Sequence, residues 1–147
     1  MTDVPVRFVV LVEQLFGEGE EDTALLRSMA ADAEKYLSSF HWCSSIKRRY
    51  FGAGIGKVVA VFLFQIVPGC AGADEWLWVV VGDLPPAYLV TDASQTPSQA
   101  LEGYIEEMRR WCSAAAEGRA SKGVIPVNVP ATPEWSKELS SRLHFLE

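Results

Sequence analysis

The segment at 76–89, Trp-Leu-Trp-Val-Val-Val-Gly-Asp-Leu-Pro-Pro-Ala-Tyr-Leu, limits what this chain can fold into more than any other stretch. Its first six residues are apolar without a break and rich in valine, the pattern of a strand covered on both faces. The run at 58–67, Val-Val-Ala-Val-Phe-Leu-Phe-Gln-Ile-Val, has the same character and strand length. Both are too apolar for an exposed edge, so they are expected as neighbouring central strands. Residues 42–51 supply another strand ahead of them, and Gly52-Ala-Gly-Ile-Gly56 suits the loop or bulged hairpin between. Strands joined consecutively by short connections make an antiparallel meander. Pro85-Pro86 donates no ladder hydrogen bond, so 82–86 is expected as a turn or strand end, with 88–90 returning as a short edge strand.

Helices flank these strands in the sequence. Residues 4–15 carry Val4, Phe8, Leu11, Val12 and Leu15 at helical spacing, although Val6, Phe8, Val10 and Val12 also alternate as a strand would; a helix ending at Gly17 is expected. Thr23 is placed to cap a second helix, whose stripe is Leu25, Leu26, Met29, Ala30, Ala33 and Leu37. Thr96, Pro97 and Gln99 form a capping-box pattern for a third, with Leu101, Tyr104, Ile105, Met108, Trp111, Cys112 and Ala115 on one face and Gly118 as terminator. Thr132-Pro133-Glu134 repeats the start signal for a closing helix lined by Trp135, Leu139, Leu143 and Leu146. The expectation is one α+β domain over 1–147: an antiparallel meander of three or four strands with the helices packed mainly on one face.

Among the 147 residues 49% are hydrophobic and 22% charged, ordinary globular values. The net charge of -6 opposes broad contact with nucleic acid or anionic lipid. Only 38–57 is basic, through Lys47, Arg48, Arg49 and Lys57. Cys43, Cys70 and Cys112 are odd in number and widely spaced, which suits reduced thiols in a cytoplasm. Asp3 stands where a secretory leader wants positive charge, and the apolar runs are too short to cross a bilayer as helices. The chain is therefore expected to be cytoplasmic, with neither membrane nor nucleic acid as partner.

Each chemical motif breaks down in detail. Gly52-Ala-Gly-Ile-Gly-Lys57 resembles a phosphate cradle, yet Val58 follows the lysine where a P-loop needs Ser or Thr, and a strand follows where a helix is required. Lys47, Arg48 and Arg49 with Trp42, Tyr50 and Phe51 suggest a single-strand-binding surface, but alternation splits the charges between two faces, and a solvated strand paired with acidic neighbours is the plainer reading. His41 and Cys43 share one side of a strand, as a nucleophile and base would, but a packed cysteine beside a surface histidine is the plainer reading. Neither they nor His144 has the spacing of a metal site, so no metal and no cofactor is expected. Asp83 lies at the end of a central strand, where side chains often face a crevice, with Tyr88 close by; it also suits capping the turn.

Gly82-Asp-Leu-Pro-Pro-Ala-Tyr88, preceded by a Trp-rich strand and followed by Thr96-Pro97 and Trp111, resembles a family of uncharacterised bacterial proteins with a G-D-L-P-x-x-Y motif before a Pro-started, Trp-containing helix. That resemblance spans about a third of the chain and implies a fold but no activity. Two function classes follow. The first is a non-enzymatic domain that binds an unknown protein partner or a second copy of itself through an aromatic surface of Trp42, Trp76 and Trp78, since Trp76 and Trp78 share one strand face. The alternative is a small enzyme or ligand-binding module with a crevice near His41, Asp83 and Tyr88.

Overall fold

The computed structural model describes residues 9–116, apart from 18, 57, 71, 73, 92 and 93, together with Lys137. Five strands, β1 (Val10–Leu11), β2 (Cys43–Ile55), β3 (Val59–Pro68), β4 (Trp76–Gly82) and β5 (Leu84–Val90), form an antiparallel meander in that order. Two helices, α1 (Glu20–Ser38) and α2 (Pro97–Ala116), pack against it. The α+β meander is thus as expected, one strand longer. Apart from the helical Lys137, the closing helix expected over 132–146, with His144, lies outside the described residues.

The helices do not share one face. Val59, Val61 and Leu63 of β3 join Trp78 and Val80 of β4 in a cluster with Ala100, Tyr104, Met108, Trp111 and Cys112 of α2. The intervening Phe62, Phe64 and Ile66 join Leu77, Val79 and Val81 in a second cluster with Leu26, Met29, Ala30, Ala33 and Leu37 of α1. Because successive strand residues point to opposite sides, α1 covers one face and α2 the other. The expectation of one-sided packing is corrected, and the reason was visible in the strands. Runs that are apolar at every position leave both faces to be kept from water, which takes a helix on each side.

Three local expectations also change. Val10–Leu11 pairs with Phe51 and Tyr50 as β1, and Val12–Gln14 makes a single 3-10 turn, so the described part of the expected first helix is not an α-helix. The dense valines, strained in helix but suited to a pleat, decide this. Helix α1 starts before Thr23, at Glu20, with Glu20, Glu21 and Asp22 in its first turn where the helix dipole favours negative charge. Thr23 Oγ1 instead accepts from the Gly17 amide at 2.8 Å and donates to the Gly19 carbonyl at 2.7 Å, tying down the approach to the helix. Pro85 and Pro86 lie inside β5, where a register shift opposite Val81 sets two residues against one. Such a bulge on a strand with no described neighbour beyond it needs no donors from the prolines.

The β2–β3 hairpin accounts for the glycine-rich stretch. Ile55 pairs with Val59 across the turn, and a Cβ at Gly54 would lie 2.8 Å from that of Ala60. At Gly82, where β4 hands over to β5, a Cβ would fall 2.3 Å from the Val58 carbonyl oxygen. The two hairpin turns are therefore pressed together, and the Asp83 amide donates to that same carbonyl at 3.1 Å. Glycine opens the G-D-L-P-P-A-Y sequence because the backbone of the neighbouring hairpin occupies the space of a side chain.

Candidate docking groove

Along α1, residues Leu25, Ser28, Met29, Asp32 and Tyr36 fall three or four positions apart and so share one edge of the helix. Facing them across an open groove of about 720 Å³ are Val81, Gly82 and Asp83 at the end of β4 and Pro86 of β5. The groove exists because α1 buries its Leu26, Ala30, Ala33 and Leu37 stripe on the sheet centre. Its adjacent edge overhangs the β4–β5 turn without closing on it. Leu25, Met29, Val81 and Pro86 make the lining apolar, while Asp32 and Asp83 bring a carboxylate from each wall; both are exposed. No described residue of the lining is cationic.

At Tyr36 the groove meets an aromatic cluster. The Tyr36 ring lies edge-on to Phe40 at 5.2 Å, Phe40 stacks on Trp42 at 4.8 Å, and Tyr88 of β5 stands edge-on to Phe40 at 5.3 Å and Trp42 at 5.1 Å. All four rings are half-buried. Burial, reinforced by the neighbouring Tyr88 hydroxyl, pushes the Tyr36 phenol up to about 12, so it is a neutral hydrogen-bonding group at physiological pH.

The aromatic surface expected from Trp42, Trp76 and Trp78 does not form. Trp42 packs on the α1 side of the sheet and the other two on the α2 side. Trp78 is wholly buried, and its indole N–H donates to the Ser94 carbonyl at 2.7 Å. Trp76 is half-buried at the rim of the same cluster, 6.1 Å from the Tyr50 ring. The strand periodicity rightly set Trp76 and Trp78 on one face, but that face is the one α2 covers.

The crevice residues are brought only partly together. Asp83 lines the groove, Tyr88 belongs to the aromatic cluster at its far end, and His41 is exposed in the turn between α1 and β2, outside the lining. Cys43 is buried and burial pushes its thiol up, the opposite of what an activated nucleophile requires. Sequence reasoning missed Ser28, Asp32 and Tyr36. None of the three belongs to the apolar stripe read for α1, and only the fold brings the β4–β5 turn opposite them.

The basic strand has an accounting of its own. Arg49 pairs bidentately with Glu34 of α1 at 2.8 and 2.5 Å, the kind of acidic neighbour expected for a cation of this strand. Between Ile46 and Arg48 the register shifts, leaving Lys47 as the extra residue of a bulge. Among the described residues, only Tyr50 and Phe51 of β2 pair with β1, and the bulge and charge at Lys47 are devices that discourage pairing with another chain. Lys47, Arg48 and Arg49 line a hollow of about 340 Å³ that also contains Glu13.

Among the described residues no group of three or more His, Cys, Asp or Glu side chains is placed to hold a metal ion, and no helix is long and apolar enough to cross a membrane. No family model, curated protein or solved structure matches the chain.

Proposed function

We propose that this chain is a small, cytoplasmic bacterial domain that works by binding a protein partner and performs no reaction of its own, with the α1 groove as its docking surface. The observation that carries this reading is the continuity of the groove with the half-buried cluster of Tyr36, Phe40, Trp42 and Tyr88. Aromatic rings that present an apolar body beside polar edges are what interfaces concentrate. An open trough between a helix and a hairpin receives a chain segment more readily than it encloses a small substrate. The buried Cys43 thiol also leaves the His41 and Cys43 pairing without a competent nucleophile.

A ligand-binding module is the second reading, favoured by the groove volume, which falls in the range of small-molecule sites. A photoreactive residue at position 28, inside the groove, and another at exposed Glu102 of α2 distinguish the two in cells that produce the protein. A single protein crosslinked from position 28, absent from position 102 and lost on Asp32→Lys, is the expected result. Stabilisation by a metabolite fraction with no protein adduct would favour the ligand reading, and neither outcome would leave the groove without a role.

A further inference from the structure

We infer that the docking segment is proline-rich and lies extended, as a polyproline II helix, across the aromatic cluster at the end of the groove. Its backbone carbonyls accept hydrogen bonds from the Tyr36 and Tyr88 hydroxyls and the Trp42 indole N–H. The inference rests on the docking reading above and adds the chemistry of the occupant. Its first support is the state of those three donors. The two largest wholly buried side chains, Trp78 and Tyr104, are satisfied within the fold: Trp78 donates to the Ser94 carbonyl at 2.7 Å and Tyr104 to the Pro85 carbonyl at 2.6 Å. Among the described residues no group accepts from the Tyr36 or Tyr88 hydroxyl or from the Trp42 indole. No described side-chain nitrogen or oxygen is buried without a partner, so these three polar tips reach water. Three open donors thus share one patch of ring surface.

The second support is electrostatic complementarity. A patch of donors calls for acceptors, which are either carboxylates or neutral carbonyls. Exposed Asp32, one helical turn before Tyr36, and the net charge of -6 oppose a carboxylate. Among neutral carbonyls, secondary structure decides which are available. Those inside a helix or a strand ladder are already spent on backbone amides, whereas a polyproline II segment makes no internal hydrogen bonds and keeps its carbonyls open. Its prolines bring no competing N–H and hold their φ in advance, so binding costs little ordering. The third support is the ring surface itself. Phe40 stacks on Trp42 at 4.8 Å, and Tyr36 and Tyr88 stand edge-on to Phe40 at 5.2 and 5.3 Å. Aromatic-lined surfaces of this kind receive proline rings, and the open trough beside Tyr36 gives an extended chain room to continue.

The test uses the full chain with three probes: a capped oligoproline peptide, a capped amphipathic helical peptide without proline, and maltose, whose faces and hydroxyls also suit aromatic donors. Binding is followed by the Trp42 indole N–H resonance and the Tyr36 and Phe40 amides. Oligoproline should shift these reporters and bind more tightly than the other two probes. Tyr36→Phe and Tyr88→Phe remove only hydroxyls without a described partner, so both should melt like the parent at neutral pH. Each should weaken oligoproline about two- to tenfold, the worth of one hydrogen bond. Trp76→Phe, on the α2 side of the sheet, should leave binding unchanged. Oligoproline affinity untouched by both tyrosine substitutions would overturn the carbonyl recognition. Tighter binding of the helical peptide at the same reporters would overturn the proline-rich occupant and leave the docking reading in place. Tighter binding of maltose would overturn the peptide and assign the rings to a sugar. Silence toward all three probes would overturn the proline-rich occupant alone if position 28 still crosslinks a protein, and the docking reading with it if position 28 does not.

Discussion

Replacing Trp78 and Trp76 separately tests the two-sided sheet most sharply, because the residues lie two apart on one strand face and differ in depth. Trp78 is 0% exposed and Ser94, whose carbonyl receives its indole N–H at 2.7 Å, is 4% exposed. Removing an indole that buries roughly 200 Å² forfeits about 5 kcal/mol at ~25 cal/mol per Å². The Ser94 carbonyl then loses a donor in a site short of water, which costs about 1–3 kcal/mol more unless the strand relaxes. Against a typical domain stability of about 5–15 kcal/mol, Trp78→Ala is therefore expected to leave little folded protein. Trp78→Phe keeps most of the packing and should lose about 2 kcal/mol, from the hydrogen bond and a small void together. Trp76 sits half-buried at the rim, so Trp76→Ala should cost about 2 kcal/mol. Urea unfolding with unchanged slope measures all three, and circular dichroism shows whether Trp78→Ala folds at all. Equal losses for Trp76→Ala and Trp78→Ala, or a Trp78→Phe variant as stable as the parent, would refute the placement of α2 over this face.

Gly82→Ala should destabilise by about 2–4 kcal/mol, measured by thermal melting, because the added Cβ meets the Val58 carbonyl oxygen at 2.3 Å, and backbone on both sides cannot give way cheaply. In an Arg49 and Glu34 double-mutant cycle the coupling should be about 0.5–1 kcal/mol, since the bidentate pair is 35% exposed on each side and solvent screens it. The raised phenols of Tyr36 and Tyr104 set an alkaline limit: their folded-state values lie above the unfolded value of 10.0, so the stability they contribute is complete below pH 10 and is lost as pH rises through the folded values. Urea midpoints should be level up to pH 10 and fall above it, and Tyr36→Phe should shallow the fall between pH 10 and about 12. A chelator should leave the melting curve unchanged, since among the described residues no cluster of ligating side chains exists to be emptied.

How much of this was readable from the chain follows from how local each signal is. The start of helix α2 was legible, while its expected terminator Gly118 lies outside the described residues: Thr96 Oγ1 accepts from the Gln99 amide at 3.1 Å, and the Gln99 side chain reaches back to the Gln95 amide at 2.8 Å, one residue beyond the reciprocal cap expected. The central strands were equally plain, because their apolar runs are longer than any loop and shorter than a buried helix needs. Between Val10 and Leu15 the helical and strand periods coincide, so the ladder partners Phe51 and Tyr50, distant in sequence, decided the outcome. Which helix covers which face is likewise non-local. The sequence specified two apolar helix stripes and a sheet apolar on both sides, yet one-sided packing was the expectation because each helix was weighed against the sheet alone and not against the other helix. The groove was hidden for a related reason. Asp32 looks like any exposed helix residue until the β4–β5 turn is brought opposite it, and Asp83 is placed there by the pressing together of Gly82 and Val58, which no spacing along the chain encodes.

With a helix on each side, neither broad face of the sheet is left to bind a partner, and this turns attention to its borders. At one border β5 carries Pro85 and Pro86, which remove two donors from its ladder; toward the other, beside the two-residue β1, β2 carries the bulge at Lys47. Both devices discourage a further strand from adding to the sheet. What remains is the seam where α1 stops short of the β4–β5 hairpin, and there the chain places apolar surface, two carboxylates and four half-buried rings in succession. Leu25, beside the buried α1 stripe that includes Met29, stays partly exposed at this seam. Exposed apolar surface carries a solubility cost that a fold can avoid by a single polar substitution on the helix rim. Its presence beside the Tyr36, Phe40, Trp42 and Tyr88 rings is the feature that the docking proposed above would use.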